Sequence, residues 1–362
     1  MNKHHHQPIL LLFIVFLVTI FFGLRPKGFD FVNNVRWLPD RSGIHFDANS
    51  IAFTKIENIQ SKKNCPGVSN FSAEIAIEPK RLDYNKVKVI LALHGGADSD
   101  QLIIGQWQSY IIVINGADYS QKYNAKVLEA KMPISALVPV LISLATGHKG
   151  TQLYFNGQSV DSVEIPVVLP KGDQVLVTLG NSVYGMRPWQ GNVLGVALYD
   201  HELSPEAIKS HFNQWASAKK FNPANDDKPI LNYLLDEKMG TMARNHAGND
   251  HHLVFPAWKP VLKKIVLDTQ LTGFQFNQVI LLDVVINVIG FMPLGFCLST
   301  VSFSCGTSNR KRSILLSTGV CLVISLGMEI TQAWIPSRSS QLLDVLMNTF
   351  GAFIGAKIKK SA

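Results

Sequence analysis

The chain has 362 residues, room for two domains or for one domain and a membrane bundle, and 47% of them are hydrophobic. Its formal charge is +8, but the basic residues gather in short clusters beside apolar segments. No basic stripe with interleaved aromatics appears, which excludes nucleic acid as an expected partner. Of four cysteines only Cys65 falls in the polar middle of the chain, which excludes a disulfide framework there.

In chain order, residues 9–24 form an uncharged run of Leu, Ile, Val and Phe. As a helix it covers about 24 Å, a short but adequate membrane span with its flanks. No small-residue cleavage site follows, only Arg25-Pro26-Lys27, so an uncleaved anchor is expected. His4, His5 and His6 read as a solvated tail.

Residues 28–258 carry a period of two. Phe71, Ala73, Ile75 and Ile77 alternate with Ser72, Glu74, Ala76 and Glu78, predicting a strand with one buried face. Similar runs begin at Val87, Ser109, Val140, Thr151, Val175 and Gly191. Asn156-Gly157 signals a type I′ hairpin, which needs positive φ twice. One helix interrupts: Ser204 is placed to cap it, Pro205 suits its first position, and residues 207–215 continue it. The expected architecture is an all-β jelly-roll sandwich of two sheets.

Residues 189–215 (WQGNVLGVALYDHELSPEAIKSHFNQW) resemble the closing strand and short helix of concanavalin A-like, laminin-G-type jelly rolls. Residues 151–160 (TQLYFNGQSV) resemble the family's hairpin, and residues 234–256 resemble its opening strand pair, here placed after the helix. The resemblance implies a carbohydrate-binding type of domain, with glycoside hydrolysis in some members and calcium as an optional ligand. Hydrolysis needs two carboxylates flanking the bond. The nearest pair, Glu74 and Glu78, lies about 13 Å apart along a strand, with Ala76 where a central acid would stand. No catalytic residue is therefore assigned, and both glutamates read as a solvated strand face.

Other apparent motifs in this region read as structure. His94-Gly95-Gly96 is taken as a turn, because the chain has no Gly-x-Ser-x-Gly elbow. His246, Asp250, His251 and His252 are taken as an exposed loop, so no metal is assigned. Trp107, Trp189 and Trp215 are assigned to core packing over sugar stacking.

Residues 259–278 form a juxtamembrane segment, and residues 279–362 hold three more apolar segments. With residues 1–27 they predict a four-helix transmembrane bundle. Arg310, Lys311 and Arg312 lie in one short loop, and Lys357, Lys359 and Lys360 near the end of the sequence. Neither cluster carries an acid, which places both termini and this loop on the cytoplasmic side and the sandwich outside. Arg25, Lys27, Lys263 and Lys264 sit outside against that rule.

Three polar pairs interrupt the apolar helices: Asp283 with Asn287, Glu329 with Gln332, and Asp344 with Asn348. Their spacing puts each pair on one helix face. A carboxylate at membrane depth costs roughly 2.5–3.5 kcal/mol on insertion scales. With Arg338 as the nearby cation, the six residues are expected to form one outer layer. Two readings stay open, hydrogen bonding that ties the bundle together and a site for a lipid headgroup. Gly290, Gly295, Gly351 and Gly355 are expected to let helices approach closely.

The series Asp283, Asn287, Gly290, Phe291, Pro293, Gly295, Glu329, Gln332, Pro336, Arg338, Asp344, Asn348, Gly351 and Gly355 resembles the pattern of VanZ-like membrane proteins. That resemblance implies that residues 9–24 are the family's first helix and that the sandwich fills the following outer loop. The family's name comes from low-level glycopeptide (teicoplanin) resistance.

The expected protein is a multi-pass component of a bacterial inner membrane, more a binder than an enzyme. Its sandwich would engage envelope glycan or a glycoconjugate, and its polar layer a membrane lipid or lipid-linked headgroup. Two alternatives are a lipid-modifying enzyme or transporter with Glu329 as proton carrier, and a protein-docking role for the sandwich.

Overall fold

The computed structural model describes residues 6–25, 32–57, 70–95, 101–116, 126–133, 138–170, 174–223, 227–260, 262–264, 266–269, 278–304, 309–335, 338 and 340–358. His4, His5, Cys65, Gly96, Cys305, Pro336, Lys359 and Lys360 lie outside them. The chain divides into two compact units, residues 30–262 and residues 1–29 with 263–362.

The elements run α1 (His6–Leu24), β1 (Arg36–Trp37), β2 (Ile44–Phe46), β3 (Ala52–Glu57), β4 (Phe71–Pro79), β5 (Lys88–His94), β6 (Leu102–Trp107) and β7 (Tyr110–Asn115). Then come β8 (Lys126–Lys131), β9 (Val140–Gly147), β10 (Gly150–Phe155), β11 (Gln158–Val163), β12 (Gln174–Leu179), β13 (Gly191–Tyr199) and α2 (Pro205–Ala218). Last are β14 (Leu231–Tyr233), β15 (Met242–Ala243), β16 (Leu253–Val254), α3 (Gln278–Ser304), α4 (Arg310–Gln332) and α5 (Leu342–Ile358).

Unit 30–262 is an antiparallel sandwich. One sheet runs β1-β2-β13-β4-β9-β10-β11 with β14 also on β13; the other runs β15-β16-β3-β12-β5-β6-β7-β8. The segment 231–254, which follows the helix, completes both sheets, pairing β14 with β13 and β16 with β3. Alternate residues of the two sheets meet in one core, including Phe46, Phe71, Ile75, Leu91, Ile104 and Trp189. The hairpin β10–β11 turns at Asn156 and Gly157 with φ of 51° and 76°, the two positive angles that the type I′ geometry requires.

Helix α2 begins where the sequence places it. Ser204 Oγ accepts from the Ala207 N–H at 3.2 Å, and Pro205 opens the helix. Its Ile208 and Trp215 pack with Ala76, Leu141, Ala197 and Tyr199 on the far face of the first sheet. This cover changes the reading of β4. The alternation of Phe71–Glu78 predicts one solvated face, yet Ser72, Glu74 and Ala76 are as buried as their neighbours. A strand in the middle of a sheet with a core on one side and a helix on the other has no wet face.

The other unit holds α1, α3, α4 and α5. Phe291, Leu294, Cys321, Met328 and Ala352 form its buried centre, with Leu12, Phe16 and Ile20 of α1 packed against it. Among the described residues, three helices are long and apolar enough to cross a membrane, at Gln7–Leu24, Leu281–Ser302 and Arg310–Gln332. The fourth, α5, has 17 residues, about 25 Å of helix. A bundle of four full spans is thus more than length and composition establish.

The contact between α3 and α5 depends on small residues. A Cβ on Gly351 would overlap the Val288 carbonyl oxygen, one on Gly355 that of Met292, and one on Gly295 that of Ala352. The backbones therefore run against each other with no side chain between them. Gly290 is placed differently, since a Cβ there would meet nothing within 4 Å.

A polar cavity in the helical unit and a buried ionic network in the sandwich

The C-terminal end of α1 and the adjoining ends of α3, α4 and α5 enclose a cavity of about 590 Å³. All seven polar residues singled out from the sequence line it: Asp283 and Asn287 from α3, Glu329 and Gln332 from α4, Arg338 from the loop, and Asp344 and Asn348 from α5. Gly290 lines it too, so this glycine opens space for the cavity and does not mediate the helix contact expected of it. Val18, Phe22, Ile286 and Ile289 complete an apolar wall.

Six of the seven polar groups have a hydrogen-bond partner among the described residues. Asn287 Nδ2 donates to Asp344 Oδ1 at 2.8 Å, joining α3 to α5. Asn348 Nδ2 donates to Ser325 Oγ at 2.9 Å, joining α5 to α4. Glu329, 1% exposed, accepts the Gln341 N–H on Oε2 at 2.9 Å. It thus caps the segment that enters α5. Asp344 lies in the first turn of the same helix. Both carboxylates therefore face the positive end of the α5 dipole, which lowers the cost of holding them together.

Arg338 differs from the expectation. It does not form an ion pair with the acids but donates to backbone carbonyls at the end of α1. Nε and one terminal nitrogen reach Arg25 O at 3.2 and 2.9 Å, and the same terminal nitrogen reaches Phe22 O at 3.0 Å. Gln332 Nε2 joins it by donating to Gly23 O at 2.8 Å. The last carbonyls of a helix have no intrahelical partner, and a planar guanidinium satisfies several at once.

In the sandwich, Glu74, read from the sequence as part of a solvated strand face, is instead the centre of a buried network. That network includes His211, a residue the sequence motifs did not single out. Fully buried, Glu74 accepts from Ser143 Oγ at 3.0 Å and Tyr199 OH at 3.0 Å, and its Oε2 lies 2.8 Å from His211 Nδ1. His211 Nε2 lies 2.7 Å from Asp227 Oδ2. An imidazole between two carboxylates donates from both nitrogens only as the cation. Burial alone pulls its pKa down, but the hydrogen bonds and charges of Glu74 and Asp227 outweigh that and hold it above the usual histidine value. Burial, with the Glu74 charge beside it, pushes the Tyr199 hydroxyl well above the ordinary phenol. The signal in the sequence was the helical spacing of Ile208, His211 and Trp215, which puts His211 on the buried face of α2.

Glu78, also expected to be solvated, is partly buried and paired with Arg41, and it accepts from Asn192 Nδ2 at 2.5 Å. Trp189 is fully buried with its indole N–H on Gln106 Oε1 at 2.6 Å, and Trp215 is 8% exposed under α2. Trp107 is only half-buried, beside Tyr110 with ring centroids 6.2 Å apart.

His246 joins Asp236 and Glu237, not His251 and His252; their ligand atoms lie within 4.8 Å of one another. Lys220 Nζ holds Asp236 at 2.8 Å, and the Arg244 N–H holds Glu237 Oε1 at 2.6 Å. Calcium takes six to eight oxygen ligands, and two already engaged carboxylates with an imidazole do not supply that set.

Among known proteins, residues 237–360 match the family model described as VanZ/LLP1, and residues 57–209 match that of the concanavalin A-like lectin/glucanases superfamily. The chain thus joins a VanZ-like segment to a concanavalin A-like one, as its motifs imply. No curated protein matches it. Similar solved structures include a candidate carbohydrate-binding protein of Bacteroides ovatus, at 14% identity over 60% of this chain and 58% of that one, with a TM-score of 0.41. Another is the CBM40 of Ruminococcus gnavus IT-sialidase bound to α2,3-sialyllactose, at 14% identity, 48% and 95% coverage and a TM-score of 0.33. A third is the botulinum neurotoxin serotype D/C binding domain, at 13% identity, 51% and 46% coverage and a TM-score of 0.35. The chain spans 58% of the length of the first of these.

Proposed function

We propose that this is a multi-pass protein of the bacterial inner membrane that binds a polar headgroup in its helical unit and envelope glycan with its sandwich. Both termini lie in the cytoplasm and the sandwich outside. The observation that carries this reading is the cavity. Seven polar side chains from three helices and a loop converge on one space inside helices that are otherwise apolar. A purely structural network would close on itself, whereas about 590 Å³ falls within the range of ligand sites. The apolar wall beside it suits a molecule with a lipid part.

The glycan half of the reading rests on the match of residues 57–209 to a lectin and glucanase superfamily. Titration of the chain in detergent with envelope polysaccharide and peptidoglycan fragments tests it. Saturable binding that weakens on Trp107→Ala is the expected result, because Trp107 is a partly exposed aromatic beside Tyr110 and its flat apolar face suits the apolar face of a sugar ring. Absence of binding by folded protein would turn the sandwich into a docking module for other proteins.

A proton-carrying role for Glu329 is the second reading. Its burial favours it, but its bond to the Gln341 N–H gives the same residue a structural task. Glu329→Gln keeps an acceptor for that N–H and removes the ionisable group, so a folded variant with unchanged lipid binding leaves Glu329 a positioning residue.

A further inference from the structure

The chemistry of the cavity wall narrows the headgroup, on the premise that the cavity is a binding site. Each hydrogen-bond donor group around it already makes at least one bond within the protein. Asn287 and Asn348 donate to Asp344 and Ser325, Gln332 donates to Gly23, and Arg338 donates to the carbonyls of Phe22 and Arg25. Among the residues of the cavity wall the carboxylates outnumber the one cation, Arg338. Asn348 is 4% exposed and its Oδ1, buried, has no partner. Three carboxylates, Asp283, Glu329 and Asp344, share the same space. Pro293 lies inside α3 and has no N–H to offer the carbonyl of Ile289, a residue of the cavity wall.

A buried acceptor without a donor costs as much as a lost hydrogen bond. Three carboxylates against one guanidinium leave the wall acidic on balance, and a phosphate or sulfate would add more negative charge and more acceptors. We propose that the cavity receives a primary ammonium group, whose three N–H donors and positive charge complement Asp283, Asn348 and the neighbouring acids. The exposed side chains of Phe22, Ile286 and Ile289, 62%, 56% and 59% exposed, continue the site onto the apolar flank of the helices. The ammonium is therefore carried by an amphiphile, with the amine inside and the hydrocarbon along the helix surface. An aminated phospholipid headgroup and a free amine share this chemistry and are separated by experiment.

The test uses the purified chain in detergent, titrated with dioleoyl phosphatidylethanolamine, phosphatidylcholine or phosphatidylglycerol and with free ethanolamine, with bound molecules counted by native mass spectrometry. The ethanolamine lipid is expected to bind about tenfold more tightly than the choline lipid, the worth of one charge-assisted hydrogen bond. The choline lipid carries the same charge but no N–H. Asp283→Asn, which preserves shape, is expected to reduce that preference at least severalfold, while Asn348→Asp, which adds an acceptor charge, is expected to preserve it. Binding of free ethanolamine at similar affinity would assign the site to a soluble amine. Equal affinity for all three lipids, or preference for phosphatidylglycerol, would overturn the ammonium assignment and leave a headgroup site standing. No saturable binding of any lipid or of ethanolamine would overturn both.

Discussion

His211 shows how one side chain can hold an element in place. It reaches Glu74 in the middle of the first sheet and Asp227 beyond the end of α2, so it pins the helix at both ends of its ring. Removing one member of a buried pair leaves a charge without its partner, which costs about 3–5 kcal/mol. His211→Ala is therefore expected to destabilise the sandwich by about that amount in chemical denaturation. The network also sets a pH dependence. The folded pKa of His211 is raised, so its contribution is fully present below about pH 6.5, the unfolded value. It is lost as the pH rises through the folded value. Glu74, Asp227 and Tyr199 face the imidazole from β4, the segment after α2 and β13. The melting temperature of the sandwich is expected to fall as the pH rises through that range, and His211→Gln to flatten the profile. A wild-type profile with no slope there would show that the imidazole is neutral in the fold. Glu329 plays a comparable part in the helical unit, where its carboxylate holds the entry to α5.

At the scale of elements, the strongest constraint is the crossing of α3 and α5. Gly295, Gly351 and Gly355 each sit where a Cβ would meet a backbone carbonyl of the facing helix. Backbone cannot move aside as the end of a side chain can. Gly351→Ala is expected to force α3 and α5 apart and lower thermal stability by several degrees, measured on detergent-solubilised protein. Gly290→Ala is the matched control, because nothing lies within 4 Å of its Cβ position, and it should leave the melting temperature within about a degree and act only on the cavity. Equal effects at the two sites would place the tight approach elsewhere. On α4 the buried face repeats every fourth residue through Ser313, Ser317, Cys321, Ser325 and Glu329, and the first four are small groups that let α5 and α3 lie close to it.

At the scale of the whole molecule, the two units each have a core of their own. Residues 30–262 bring both sheets, α2 and the completing strands β14, β15 and β16. Produced without the helical unit, they are expected to fold with a cooperative thermal transition and a β-rich circular dichroism spectrum. Ending the same fragment at residue 229 removes β14 and uncovers the edge that β16 shields on β3. The shortened fragment should lose several kcal/mol or aggregate, as unpaired sheet edges do. If it folded as well as the longer one, the segment after α2 would be an attachment and not part of the sandwich.

The pattern of residues alone determined the class of each part. Alternation of period two, the Asn156-Gly157 turn and the Ser204-Pro205 helix start are local signals, governed by backbone sterics and by one or two hydrogen bonds within a few residues. Apolar length and the spacing of Asp283, Asn287, Glu329, Gln332, Asp344 and Asn348 are local too, and they foretold which residues share a face. Which faces meet was decided by tertiary packing. Only the fold brought α2 over β4, and so turned Glu74 from a surface group into the anchor of an ionic network. Only the fold sent Arg338 to the carbonyls of α1, where unsatisfied acceptors outcompeted the carboxylates. Burial and hydrogen-bond partnership depend on residues far apart in the chain, such as Glu74 with His211 or Gln332 with Gly23, and no local period encodes them.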